Sequence, residues 1–199
     1  MTQQRSLARS ERRREYVLAA ALSTFARDGY QASMGDIARA AGITRTVLYY
    51  YFDSKKELFE AVFQQELAEL VKYVGVAALA AGGPMERGRN ILRLLLEFAQ
   101  RKPDAWNLLF RQTDESEQDV FEVRSQTRAA LRATATMLLA EDIRKAGFAA
   151  DSHAIEVIFE MALGAIISAI AWWQSHPAVA IEEVEEAAVF MLAGARDWE

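Results

Sequence analysis

The chain has 199 residues, 52% of them apolar and 26% charged, with ten glycines, three prolines, no cysteine and a formal net charge of −5. Such a length suits one domain or two small ones with a substantial core, and so little proline and glycine excludes a collagen-like or low-complexity chain. Without cysteine there is no disulfide framework, no thiolate metal site and no cysteine nucleophile.

Helical periodicity runs through nearly the whole chain, and strand-like alternation is almost absent. The first sixteen residues are polar and basic, with no apolar stretch of signal-peptide length. From about Ser10 to Arg27, Val17, Leu18, Ala21, Leu22 and Phe25 share a helical face, and Asp28-Gly29 stops the helix. Ser33 opens a second helix, with Asp36 three residues on to complete a capping-box-like start, and Gly42 ends it. Thr44 caps a short third helix through about Tyr50. Ser54, with Glu57 three residues later, opens a fourth that reaches the Gly82-Gly83-Pro84 break.

Further helices are expected near Met85–Arg101, Pro103–Arg111, Ser116–Lys145, Ser152–Trp173 and Ile181–Trp198, with Gly147 and Pro177 as punctuation. The fold class is therefore all-α, of about nine helices. The most apolar stretch, Met161–Trp173, has 13 residues and follows Glu156 and Glu160; it reads as a buried helix, too short for a bilayer. A cytoplasmic protein with no membrane partner is expected.

The net charge conceals a division. Residues 1–56 carry ten Lys/Arg against five Asp/Glu, whereas the rest carries 13 against 23. That asymmetry points to a polyanion-facing N-terminus on an acidic body, the other reading being surface charge that is merely unevenly scattered.

Ser33 to Phe52 has the layout of a helix-turn-helix, with Gly42 free to take the positive φ of the tight turn. Ile43 and Leu48 face Ile37, Ala38 and the Phe25 side, which leaves Thr44, Arg45, Thr46, Tyr49 and Tyr50 outward. Seven helical residues span about 10 Å, a fit to a DNA major groove of about 12 Å. Arg45 is the natural bidentate reader of guanine, and the threonine hydroxyls can address base edges or phosphate. Tyr49 and Tyr51 can offer hydroxyls to phosphate. Lys55 sits in the first turn of the fourth helix, where its charge opposes the helix dipole unless a phosphate lies there. With Ser33 at the start of the second helix, the expected DNA-binding set is Ser33, Thr44, Arg45, Thr46, Tyr49, Tyr50, Tyr51 and Lys55. The Arg12-Arg13-Arg14 cluster is either a basic arm toward the minor groove or backbone, or a solvated helix start.

The run from Gly29 to Val62 resembles the N-terminal domain of the TetR/AcrR family of transcriptional regulators. The likeness lies in the Gly29-Tyr30 pair, Ser33, Ile37-Ala38, Ala41-Gly42-Ile43-Thr44, Leu48-Tyr49, Tyr51-Phe52 and Ser54-Lys55-Lys56-Glu57-Leu58. Helix 1, with Ala19-Ala20 and Phe25, extends it to about residues 10–62. Two departures stand out: the stretch between Tyr30 and Ile37 is one residue shorter than the commonest form, and Thr46 replaces a frequent glycine.

The resemblance implies a ligand-responsive regulator, most often a repressor, that binds double-stranded DNA at a palindromic operator as a homodimer and is released by a small-molecule effector. It implies a DNA-binding helix-turn-helix domain over residues 1–56 and a ligand-binding and dimerisation domain over 57–199, with the last two helices pairing across the dimer. Gly164, Ala165, Ser168 and Ala169 offer small side chains at helical spacing for that approach.

Phe98, Trp106, Phe110, Phe159 and Trp172 are candidates for the effector pocket, although aromatics along helices are more often core. Arg111 can pair with an anionic ligand or with Asp114. His153, Glu156 and Glu160 have helical spacing, but capping and ion pairing account for them better than a metal does. No catalytic constellation can be assembled, and no metal or other cofactor is expected. The alternative function is an all-α small-molecule carrier or enzyme with a protein-docking N-terminal module.

Overall fold

The computed structural model describes residues 2–78, 82–110, 118–149 and 151–192. They form ten α-helices and a short 3-10 turn, with no strand among the described residues. The first helix, α1, spans Thr2–Asp28 and begins well before the expected Ser10, because Thr2 to Arg9 contains no helix breaker. The 3-10 turn Gly29–Gln31 follows, then α2 (Met34–Ala40), α3 (Arg45–Tyr51) and α4 (Lys55–Ala78). The remaining helices are α5 (Pro84–Arg101), α6 (Pro103–Phe110), α7 (Gln118–Leu138), α8 (Ala140–Lys145), α9 (His153–Gln174) and α10 (Ile181–Leu192).

Ten helices arise where nine are expected because the Ser116–Lys145 helix is interrupted. Leu139, at φ −104° and ψ 15°, leaves the helical region and separates α7 from α8, while flanking hydrogen bonds keep the chain wound. Arg111, Asp114 and the stretch beyond Leu192 lie outside the described residues.

The chain divides into two compact units, Met1–Glu69 with Lys102–Ser125, and Leu70–Arg101 with Gln126–Glu199. In the first, the apolar face read from sequence is the core: Val17, Leu18, Ala21 and Phe25 of α1 are buried with Ile37, Ala38, Leu48 and Phe52. Each such Leu, Ile or Phe contributes about 1.5–3 kcal/mol by leaving water. Phe59 makes edge contacts with Phe25 and Tyr30, at ring-centroid separations of 5.2 and 5.1 Å. Helix α6 packs on α1, where Ser23 Oγ donates to Asp104 at 3.0 Å and Trp106 is buried.

In the second unit, α10 packs on α5 and α9. Arg93 of α5 grips Glu185 of α10 through two hydrogen bonds, of 3.0 and 2.9 Å. Arg87 forms a largely buried pair with Asp142 of α8. The sequence reading of α9 as buried, with a 13-residue apolar stretch, needs correction. The helix has 22 residues, is long and apolar enough by length and composition to cross a membrane, and buries only Ile155, Ile170 and Trp173. Among the described residues α5 and α10 pack on it, and Met161 is 70% exposed.

Candidate nucleic-acid interface

The helix-turn-helix is held by side chains that close the helix ends. At Ser33 the backbone is extended, and Ser33 Oγ accepts from Asp36 N at 3.1 Å while Asp36 accepts from Ser33 N at 3.3 Å, a full capping box. Ser33 Oγ also donates to the carboxylate at 2.6 Å, and Arg39 donates to its other oxygen at 2.9 Å. The Ser33 hydrogen bond, followed by that of Arg39, holds the Asp36 carboxyl below the usual range.

Past α2 the chain reverses at Gly42, with φ of 65°. Ile43 N donates to Ala38 O at 3.0 Å and Gly42 N to Arg39 O at 3.1 Å, the paired bonds of a Schellman ending. Thr44 then caps α3 by accepting from Val47 N at 3.3 Å, and Ser54 caps α4 by accepting from Glu57 N at 3.1 Å. Three helix starts are thereby fixed in orientation within a short stretch of chain.

Helix α3 buries Leu48 and exposes Thr44, Arg45, Thr46, Tyr49 and Tyr50, with Tyr50 82% accessible. These five expected residues are brought to one exposed surface. Arg45 donates to Tyr49 Oη at 3.3 Å. Tyr51 is half-buried, and its ring meets that of Tyr50 edge-on at 5.4 Å. Of the basic cluster, Arg14 lies over the Phe52 ring at 5.1 Å.

The other two expected residues are engaged within the fold. Ser33 is occupied in its capping box. The Lys55 ammonium donates to Tyr30 O at 2.7 Å and sits 4.1 Å from the centroid of the Tyr30 ring. Sequence reasoning did not single out Tyr30 as Lys55's partner, since no spacing rule links residues 25 positions apart.

The family model described as bacterial regulatory proteins, tetR family, matches residues 17–62. The HTH-type transcriptional activator FasR of Mycolicibacterium smegmatis is 34% identical over 52% of this chain and 48% of its own length. Residues 17–62 are thus a tetR-family N-terminal domain.

An uncharacterized HTH-type transcriptional regulator of Mycobacterium tuberculosis is 28% identical over 87% of this chain and 72% of its own. The crystal structure of a TetR-like transcriptional regulator from Rhodococcus sp. RHA1 superposes with a TM-score of 0.69 at 26% identity, covering 89% of this chain and 91% of that one. These relatives are DNA-binding regulators rather than enzymes. The match to FasR spans less than half of FasR.

The aromatic candidates fall into separate settings. Trp106 and Phe110 lie in the first unit with rings 4.4 Å apart. Phe98 is buried in the second unit beside Tyr73, at 6.3 Å between centroids. Phe159 is half-buried on α9, and Trp172 is 51% exposed, stacked on His176 at 4.2 Å. An open apolar cavity of about 330 Å³ lies between α9 and α10, lined among others by Ala165, Ala169, Trp172, Val184 and Met191. Gly164 and Ser168 are on the same helix, and a Cβ built on Gly164 would meet nothing within 4 Å. Glu156 and Glu160 pair with Arg132 and Arg128, and His153 Nδ1 is 3.6 Å from Glu156. Among the described residues no group of three or more His, Cys, Asp or Glu could hold a metal.

Proposed function

We propose that this chain is a cytoplasmic transcriptional repressor that acts as a homodimer. Two heads bind the halves of a palindromic operator, and a small-molecule effector releases them. The observation that carries the reading is α3 itself: a helix buried through Leu48 and capped by Thr44 that shows Thr44, Arg45, Thr46, Tyr49 and Tyr50 to solvent. A helix of this length enters a major groove with its N-terminal residues against base edges. Arg45 reads guanine, the threonines address base edges or phosphate, and Tyr49, Tyr50 and Tyr51 line the backbone. Ser33 and Lys55 contribute through the helix starts they shape, whose N–H groups face phosphate.

Residues 1–56 hold the reading function and the remainder serves sensing and dimerisation. Support for a dimer comes from α9, whose apolar residues are largely unburied among the described residues, and from the small residues Gly164, Ala165, Ser168 and Ala169 along it. A second copy seated there would fill the α9–α10 cavity. Trp172 then belongs to that face, Trp106 and Phe110 to the packing of the first unit, and Phe98 and Phe159 remain the aromatic candidates for contact with an effector.

Genomic DNA selection with the purified protein tests the reading. A palindromic motif with half-sites about 34–36 Å apart, or a multiple of that, is expected, bound more weakly as salt rises. Recovery of no selective, salt-sensitive motif refutes it.

A further inference from the structure

Asp119 stands in the first turn of α7, far along the chain from the helix-turn-helix, and two groups of the head grip its carboxylate. Tyr30 Oη donates to Asp119 Oδ2 at 2.8 Å, and Lys56 Nζ lies 3.2 Å from Oδ1. Glu122, three residues on along α7, accepts from the same ammonium at 2.9 Å. Tyr30 is in the turn that leads into α2, and Lys56 is in the first turn of α4, so the pair brackets α2 and α3. Tyr30 passes the constraint on: its carbonyl and ring hold Lys55, and its ring packs against Phe59.

The Lys56 and Asp119 side chains are each 39% exposed. An ion pair so accessible adds little to stability by itself. What these bonds fix is geometry. They tie the segment before α2 and the segment after α3 to one carboxylate, which Tyr30 and then Lys56 hold below the usual carboxyl range.

We infer that Asp119 is a positioning residue for DNA recognition: through Tyr30 and Lys56 it sets the pose in which α3 meets the groove. The inference rests on the DNA-binding reading above. Its distinguishing feature is that a residue outside the helix-turn-helix controls operator affinity without touching DNA.

Asp119→Ala removes the carboxylate, and Tyr30→Phe removes only the hydroxyl while keeping the ring. Affinity is measured for the operator recovered by genomic selection and for a random duplex of equal length, well below the melting temperature of each variant. Each single variant is expected to lose about tenfold on the operator and to stay within about twofold on random DNA, and the double variant to lose no more than the worse single, because both cut one linkage. Operator and random affinities that fall together, in step with melting temperature, overturn the inference and leave Asp119 a structural residue. Unchanged operator affinity or fully additive losses overturn it as well. A wild-type protein that yields no operator sinks the DNA-binding reading and this inference together, whereas the other outcomes leave that reading standing.

Discussion

The Arg45 guanidinium donates to the Tyr49 hydroxyl at 3.3 Å and lies 5.5 Å from the centroid of the same ring. One helical turn away, Tyr49 holds a long, exposed cation in place before DNA arrives. Less side-chain freedom then remains to be lost on binding. Arg45→Ala is expected to lower discrimination at one base pair by about 1–3 kcal/mol. Tyr49→Phe keeps the ring contact and should lower it less. Competition binding against single-base variants of the operator measures both; equal losses on operator and random DNA for Arg45→Ala would exclude base reading.

Lys55 makes the opposite prediction. Its ammonium is already engaged with the carbonyl and ring of Tyr30. Lys55→Ala should leave the slope of log affinity against log salt nearly unchanged, whereas removal of a phosphate-bound cation lowers it by about 1. A salt titration of operator binding decides, and a slope reduced by a full unit would place the ammonium on phosphate.

Ala169 lines the α9–α10 cavity together with Ala165. Ala169→Glu adds a charge that a second copy would have to bury without a partner, at a cost of several kcal/mol. The variant should sediment as a monomer, fold like the wild type by circular dichroism, and lose operator affinity with the loss of its second head. A dimer of unchanged affinity would mean that the cavity faces something else.

Glu185 is nearly buried, its side chain 8% exposed, while its partner Arg93 is 51% exposed. The hydrogen bonds from Arg93 hold the Glu185 carboxyl below its ordinary value of 4.5. A carboxylate lowered in the folded state contributes stability above its unfolded value and loses it as pH falls through the lower native one. The stability deficit of Arg93→Ala should therefore be complete near neutral pH and should close in acid, below the ordinary glutamate range. Urea denaturation at neutral, mildly acid and strongly acid pH follows it; a deficit independent of pH would assign the loss to packing alone.

The local grammar of the head could be read from the sequence because it depends on neighbours. Ser33 with Asp36, Gly42 at the reversal, and Thr44 and Ser54 at helix starts are set by spacings of three or four residues and by one residue's tolerance of positive φ. The sequence did not disclose contacts between distant stretches. Tyr30 meets Asp119 across 89 positions, and no periodicity links them. That Trp106 and Phe110 belong to one unit and Phe98 to the other was hidden for the same reason, since apolar spacing on a helix shows which side is buried but not which neighbour buries it. For α9 the composition was clear and the environment was not: an apolar helix can be covered by its own chain, by another copy or by lipid, and the letters are the same.

The first unit is discontinuous, built from Met1–Glu69 and Lys102–Ser125. Anyone who grafts this head onto a foreign sensing domain inherits that interruption. A fragment cut within α4 would uncover the surface of α1 on which α6 packs and would lose Tyr30's hold on Asp119. Exposed apolar surface of that kind favours aggregation. The transplantable piece is two strips of chain, and a hybrid regulator that carries both should stay soluble where one built on the first strip alone precipitates.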